Sequence, residues 1–498
     1  MKKRLPVLLL ALVMLFSISI AAIGCDKKEE SKPKLKVWSM SNEVVELLKY
    51  HTLVNPNYKY DFDITFINND DGSYETALDN AFASKGGPDL FLTDVDYTKK
   101  YVNSDHSEDL SSYYKTALNL GDSNYSTVRD ALEVDMYGYT LDLGTLTGTA
   151  NKLKAVSYQV TPGAMFYRAD MFLTLVDNGL IEGVANFAAW KTNAGLSSTA
   201  TIANYKDWSE ADKQKVDAAM QAFVGDDMNG FYQATKAVAQ SAYNTGKDST
   251  KKILMVNNLE DIKRVFYASR DAFVNGNNIV IDNDTASFLE YAKNIYGYTH
   301  KGSQWGDSWT AGMKAQNTAT AEYKTMAFFL PTWGLFYVLK NDETAGLWRM
   351  VEGPQAYYWG GTYGMVNAHS KNKQDAFDVL NFITSLNFMQ ARSAFSGDVM
   401  NSKGLNSSLA SMGVLGNDFL GGQNHFATFN TLANDIDASN VTQYDSTVDR
   451  IFSDVVKRYA NEEAGLTAAK AWQEIKQRLE SDMSGKTFTI PTPTAVQA

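Results

Sequence analysis

The sequence predicts an α/β protein built from two large domains or three ordinary ones, and three observations carry that reading. Near the start of the folded region the hydrophobic period switches in the order strand, helix, strand, helix, strand. The 498 residues exceed what one ordinary domain occupies. A composition of 44% hydrophobic and 21% charged residues is that of a folding chain, which excludes global disorder.

Taken in order, the chain opens with Lys2, Lys3 and Arg4 and then runs without charge from Leu5 to Gly24. A positive head, an apolar stretch and small residues describe a secretory signal. A spanning helix is the alternative, since about 20 apolar residues cross a bilayer. Against it, Pro6 lies early in the run, and the only cysteine, Cys25, stands where the run stops. Ala22-Ile23-Gly24-Cys25 resembles the lipid-acceptor site of bacterial lipoproteins, with Ala22 where Leu is commoner. The charged stretch Asp26 to Glu30 cannot sit in lipid. The expectation is a signal over 1–24, Cys25 lipidated, and a solvated tether over 25–34 holding the body to the outer face of a membrane.

Leu35-Lys36-Val37-Trp38 alternates at strand period. Val44, Val45, Leu47 and Leu48 take helical spacing, and Asn55-Pro56 ends that helix. Phe62, Ile64 and Phe66 alternate as a second strand, and Tyr74, Ala77, Leu78 and Ala81 mark an amphipathic helix. Gly86-Gly87-Pro88 stops it, and Asp89 to Leu92 is a short buried strand. This order implies a parallel sheet with right-handed crossovers. Ligand crevices in such sheets lie beyond the carboxyl ends of the strands. Those ends are Ser39-Met40-Ser41-Asn42 and Thr93-Asp94-Val95-Asp96-Tyr97. At the far end of the chain, Ala468, Trp472, Ile475 and Leu479 mark another helix.

Several segments resemble extracellular solute-binding proteins of ABC importers, in the maltose-binding-protein-like sugar-binding group, and occur in that family's order. Gly87 to Asp94 resembles its Gly-x-Pro-Asp-Leu strand, and Tyr158 to Phe172 the crossover into a second lobe. Phe288 to Lys293 with Trp309 and Met313, then Thr325 to Gly334, resemble the helix and strand that follow. Gly360 to Val366 resembles the return to the first lobe, and Ser370 to Ser385 the helix after it. The region from about 177 to 283 departs from the pattern; Asn204 to Trp208 is the one stretch that stands in for a family segment. The resemblance implies a periplasmic-binding-protein-like fold of two α/β lobes with a hinge and an interlobe cleft. Lobe one would comprise 35–158 plus 362–405, and lobe two 164–360 plus 406–485. Hinges would lie near Tyr158–Gly163 and Trp359–Tyr363.

The acidic balance, formally −11, argues against nucleic acid as a main partner. A single cysteine excludes a disulfide framework and Cys-rich zinc sites, and the five histidines lack H-x-x-x-H spacing. No metal site, cofactor or catalytic residue is expected. Asp70-Asp71-Gly72 misses the calcium-loop frame, since Ile67 would fall at its first ligand position. Gly121-Asp122-Ser123 reads as a turn. Asp89 and Asp94, roughly 16 Å apart along a strand, do not fit a glycosidase pair, and Asp94 and Asp96 share one loop.

Nine Trp, 27 Tyr and 25 Phe instead supply stacking surface for the C–H faces of sugars, with Asp, Asn, Gln and Arg for the hydroxyls. The aromatic candidates are Trp38, Trp309, Trp333, Trp359 and Tyr363; core packing is the competing use of any Trp, and strand alternation also allows Trp38 to point inward. The polar candidates are Ser39, Asn42, Glu43, Thr93, Asp94, Asp96 and Gln159, Glu43 reading equally as a helix-start residue. The expected function is capture of a solute, a carbohydrate first, by a monomer that delivers it to an ABC permease. The alternatives are an envelope glycan-processing enzyme and a sensory or adhesive surface lipoprotein.

Overall fold

The computed structural model describes residues 32–68, 72–121, 125–148, 152–314, 317–318, 321–322 and 324–492. The signal segment, Cys25, the tether up to residue 31, and Asp70, Asp71, Asp122 and Ser123 lie outside the described residues. Among the described residues no helix is long and apolar enough to cross a membrane.

β1 (Lys34–Ser39) buries Leu35, Val37 and Ser39 and turns Lys34 and Lys36 to solvent, as a period of two requires. α1 (Glu43–Val54) lays Val44, Leu47, Leu48 and His51 on one face. Each of its three aliphatic side chains is 2% exposed, and each stabilises by roughly 1.5–3 kcal/mol. β2 (Asp61–Phe66) pairs with β1 in parallel. α2 (Ser73–Ala83) begins after Gly72, whose φ of 78° suits glycine, and buries Tyr74, Leu78 and Phe82. β3 (Leu90–Asp94) is buried along most of its length and runs parallel to β1, and α3 (Val95–Val102) leaves its carboxyl end. At the other end of β3, Asp89 accepts the Lys36 backbone N–H at 2.9 Å and the Ser370 hydroxyl at 2.5 Å. That carboxylate ties the strand to a remote turn and stays away from the strand's carboxyl end.

The chain then supplies β4 (Val156–Ser157) and crosses into β5 (Pro162–Arg168), buried at every residue. The atypical middle folds as helices, among them α4 (Glu210–Val224) and α5 (Glu260–Phe266). α6 (Asp307–Lys314) precedes β6 (Ala327–Pro331), β7 (Trp348–Val351) and β8 (Tyr357–Tyr358), all antiparallel to β5. The chain returns in β9 (Thr362–Val366) and continues through α7 (Lys373–Ile383) and α8 (Leu386–Ser396). α9 (Asp445–Ala460) and α10 (Ala468–Asp482) close it, the latter burying Trp472, Ile475 and Leu479 as their spacing predicts.

These strands form the two largest sheets among the described residues, ordered β2-β1-β3-β9-β4 and β6-β5-β7 with β8 on β5. The first is parallel through β2, β1 and β3, and mixed beyond. β9 enters antiparallel to β3 because it arrives from the other lobe rather than through a helical crossover. Two chain crossings meet side by side: Thr161 Oγ1 donates to the Gly360 carbonyl at 2.7 Å, and the Trp359 N–H to the Thr161 carbonyl at 3.1 Å. A third segment joins them, since the Val160 N–H donates to the Val399 carbonyl at 3.1 Å. The apolar core of the second lobe continues through Tyr139, Val160, Trp359 and Tyr363 into Phe82, Phe91 and Val95 of the first. The lobes are therefore packed together around the crossings and part beyond them.

Candidate functional site

The carboxyl ends of β2 and β3 face the second lobe across a cavity of about 1050 Å³. The first lobe lines it with Gly72, Glu75, Val95, Asp96 and Tyr97. The second lines it with Arg264, Arg270, Tyr357, Tyr358 and Asp445, among others. Asp94 caps α3 by accepting the Asp96 N–H at 3.0 Å, which holds the loop so that Asp96 leans outward. Its own carboxyl is pushed up to about 7, by burial first and by the neighbouring Asp96 charge second. Asp96 meets Arg264 of α5 at 3.6 Å, one ion pair across the gap. Burial lowers and the carboxylates Asp96, Asp449 and Asp94 raise the pKa of Arg264, the balance being upward, so it stays a cation.

The Arg264 guanidinium also lies 5.2 Å above the ring of Trp359, a cation–π geometry. Trp359 belongs to a group of four indoles that border the cavity through Arg264 rather than lining it. Trp333, in the turn after β6, donates its Nε1–H to the Trp359 carbonyl at 3.1 Å and sits edge-on to its ring at 5.5 Å. Trp305 lies parallel to Trp333 within 6°, centroids 6.3 Å apart, and edge-on to Trp359 at 6.0 Å. Beneath it lies Trp309 at 4.8 Å.

The anticipated residues divide accordingly. Asp94, Asp96 and Trp359 come together around Arg264, and Trp333 joins them through Trp359. Trp309 and Tyr363 offer a ligand no surface, being 1% and 2% exposed. Trp309 is anchored inside because its Nε1–H donates at 2.8 Å to the buried Asp261, whose carboxyl burial pushes up to about 7. Tyr363 is held between β3 and β4 by its place in β9. Thr93 and Ser39 are also buried, Thr93 bonded to Thr98 at 3.0 Å and Ser39 accepting the Ser41 N–H at 3.0 Å. Gln159 is buried beside the third crossing segment, bridged to Met400. Glu43 is engaged by Tyr158 at 2.6 Å and by Arg392 at 2.5 Å. Trp38 is half-buried against the core, and Asn42 is exposed at the start of α1 without a capping bond.

Sequence reasoning missed Trp305 and Arg264. Trp305 is 57% exposed and takes a φ of 66°, a backbone state that few non-glycine residues hold. A tryptophan inside the turn-rich string Gly302-Ser303-Gln304-Trp305-Gly306 was the available signal. Arg264 has no local signal; it stands in the atypical middle region and is placed only by the packing of α5.

No protein-family model and no curated protein matches the chain. Solved structures do. An extracellular solute-binding protein of family 1 superposes with a TM-score of 0.64 at 15% identity, covering 90% of this chain and 99% of its own. The galacto-N-biose-/lacto-N-biose I-binding protein of an ABC transporter from Bifidobacterium longum, in complex with lacto-N-biose, gives 0.61 at 13% identity, covering 93% and 100%. An ABC substrate-binding protein from Listeria monocytogenes, in complex with cycloalternan, gives 0.57 at 12% identity, covering 91% and 99%.

The fold is that of the extracellular solute-binding proteins. In this solute-binding fold the cavity and the Asp96–Arg264 pair lie between the two lobes, and the exposed ring of Trp305 packs on Trp359 at the second crossing.

Proposed function

We propose that this chain is a substrate-binding lipoprotein, lipidated at Cys25, that captures an oligosaccharide between its lobes and delivers it to the permease of an ABC importer. The observation that carries the reading is the open indole face of Trp305, backed by Trp333 and Trp359, beside an acid and a cation contributed by opposite lobes. Sugars need that pairing: a flat ring for their C–H face, and fixed acceptors and donors for their hydroxyls. Asp96 and Asp94 accept and Arg264 donates. A ligand touching both lobes stabilises the closed form by its differential affinity for the two states. Movement falls at the crossings Tyr158–Gly163 and Trp359–Tyr363, with lobe one as 35–158 plus 362–405 and lobe two as 164–360 plus 406–485. The structural neighbours bound to lacto-N-biose and cycloalternan support carbohydrate over other solutes.

Calorimetry against an oligosaccharide panel tests this, with products analysed in the same samples. Trp333→Ala should weaken binding by about 1–3 kcal/mol; an unchanged Kd removes that ring from the site. One observation favours a second reading: the raised Asp94 beside Asp96 is the kind of carboxylate a glycan-cleaving enzyme uses as its acid. Release of shorter glycans would establish the enzyme, and saturable binding without turnover the receptor.

A further inference from the structure

The walls of the interlobe cavity are unequal in charge. Eight of its lining residues are Asp or Glu, three are Arg, and none is Lys. All three guanidiniums are engaged: Arg264 by Asp96 at 3.6 Å, Arg270 by Asp445, and Arg450 at 2.6 Å by Asp482, which lies outside the cavity. Two more of the lining carboxylates are held by lysines that do not line it, Asp449 by Lys263 at 2.7 Å and Glu75 by Lys100 at 2.5 Å. Asp226, Glu352, Asp435 and Asp437 remain. All four are exposed, and no cationic side chain among the described residues is in ion-pair contact with them.

The backbone adds to this field. Asp435 is the last residue of the helix His425–Asp435, and Asp226 follows the end of α4 by two residues. The carboxyl end of a helix carries roughly half a negative charge, which favours a cation there and opposes a carboxylate. Neither helix has a basic residue in its last turn. Two negative helix poles therefore reinforce carboxylates that the fold leaves uncompensated, a placement that costs stability. In the same cavity wall Tyr357 is 2% exposed and its hydroxyl has no hydrogen-bond partner, whereas a packed face satisfies its buried polar groups. A second cavity of about 780 Å³ adjoins the first at Ser269, Arg270 and Gln355, and brings four more aspartates, Asp227, Asp271, Asp282 and Asp284, with no further cation. A cleft lined by one sign of charge between walls of low dielectric focuses its field on whatever enters.

We propose that the cavity selects a cationic glycan, one whose sugar units carry free amino groups. The ammonium groups pair with the uncompensated carboxylates around Glu352 and Asp435, while the Asp96–Arg264 pair takes neighbouring hydroxyls. The same field turns away uronates and other anionic glycans, so specificity comes from repulsion as well as attraction. This inference rests on the carbohydrate reading above and narrows its substrate class.

The test is calorimetry of the full chain with short β-1,4-linked glucosamine oligosaccharides, their N-acetylated counterparts, the matching glucose oligosaccharides, and spermidine as a cation without a sugar ring. The glucosamine series should bind roughly 10- to 100-fold more tightly than either neutral series. That ratio should shrink as NaCl is raised from about 0.05 to about 0.5 M, because exposed charges are screened. Glu352→Gln and Asp435→Asn should each lower it roughly 2- to 5-fold, and the double variant further. Both side chains are exposed and both changes keep their shape, so folding is not at stake. Neutral glycans bound as tightly as the amino series, or a ratio that the double variant and high salt leave intact, overturn the charge selection while the carbohydrate reading stands. Binding of spermidine with no glycan bound, or of no probe at all, overturns both.

Discussion

Replacing Trp305 by glycine should separate ligand binding from stability. Trp305 leaves 57% of its surface in water. Of the up to ~250 Å² an indole can bury, roughly 100 Å² is therefore covered, worth about 2.5 kcal/mol. Its left-handed φ of 66° opposes that by roughly 1–2 kcal/mol, a strain that glycine avoids. The net cost of Trp305→Gly is then on the order of 1 kcal/mol, or a few degrees at most in Tm. Trp309, 4.8 Å away and 1% exposed, is the control. Trp309→Ala should cost about 3–5 kcal/mol and also strip buried Asp261 of its indole donor. If Trp305 is the sugar platform, Trp305→Gly should raise Kd roughly 5- to 150-fold despite its small effect on folding. Urea unfolding and calorimetry on the same preparations give both numbers. Should Trp305→Gly prove as destabilising as Trp309→Ala, the ring is core; should Kd stay put, it is not a platform.

Three further outcomes follow from the geometry. Gly360 has a φ of 73°, and a Cβ there would lie 3.0 Å from the Trp333 Nε1, so Gly360→Ala should cost about 1–2 kcal/mol in urea and also weaken sugar binding by displacing Trp333. Burial holds the carboxyls of Asp261 and Asp398 up at about 7, against 3.8 in the unfolded chain, so the folded state binds more protons between those values. Their contribution is complete below about pH 4 and is lost as pH rises through about 7, so Asp261→Asn should flatten a fall of roughly 1–3 kcal/mol in stability between pH 5 and pH 8, read from urea midpoints. Arg264→Ala removes an ion pair whose Asp96 side chain is 44% exposed, so stability should change by less than about 1 kcal/mol, while small-angle scattering should show a more open average shape.

Local order was legible where a period repeats. The alternation of β1, the stripe of α1 and the Trp472–Ile475–Leu479 helix could be read because one buried face imposes its spacing on the residues behind it. The loop after β3 could be placed for the same reason: a strand's end marks where the crevice opens, which located Asp94 and Asp96. The same logic brought Trp333 and Trp359 near the cleft through the strand and the crossing that carry them. It could not tell an inward ring from an outward one, so Trp309 and Tyr363 were grouped with the site although the core holds both.

By itself, then, the amino-acid order determined the alternation of strands and helices and the end of β3 at which the cavity opens. Those come from periodic burial within a few turns of chain, whereas the two-lobed architecture was implied by the resemblance of several segments, in their order, to a known family. Only the tertiary structure decided that Trp305 rather than Trp309 is exposed, that Arg264 reaches Asp96 from the opposite lobe, and that burial raises the Asp94 carboxyl above its ordinary range. Each of these depends on surfaces brought together from residues far apart in the chain, where exposure and field are set by neighbours that no local pattern encodes.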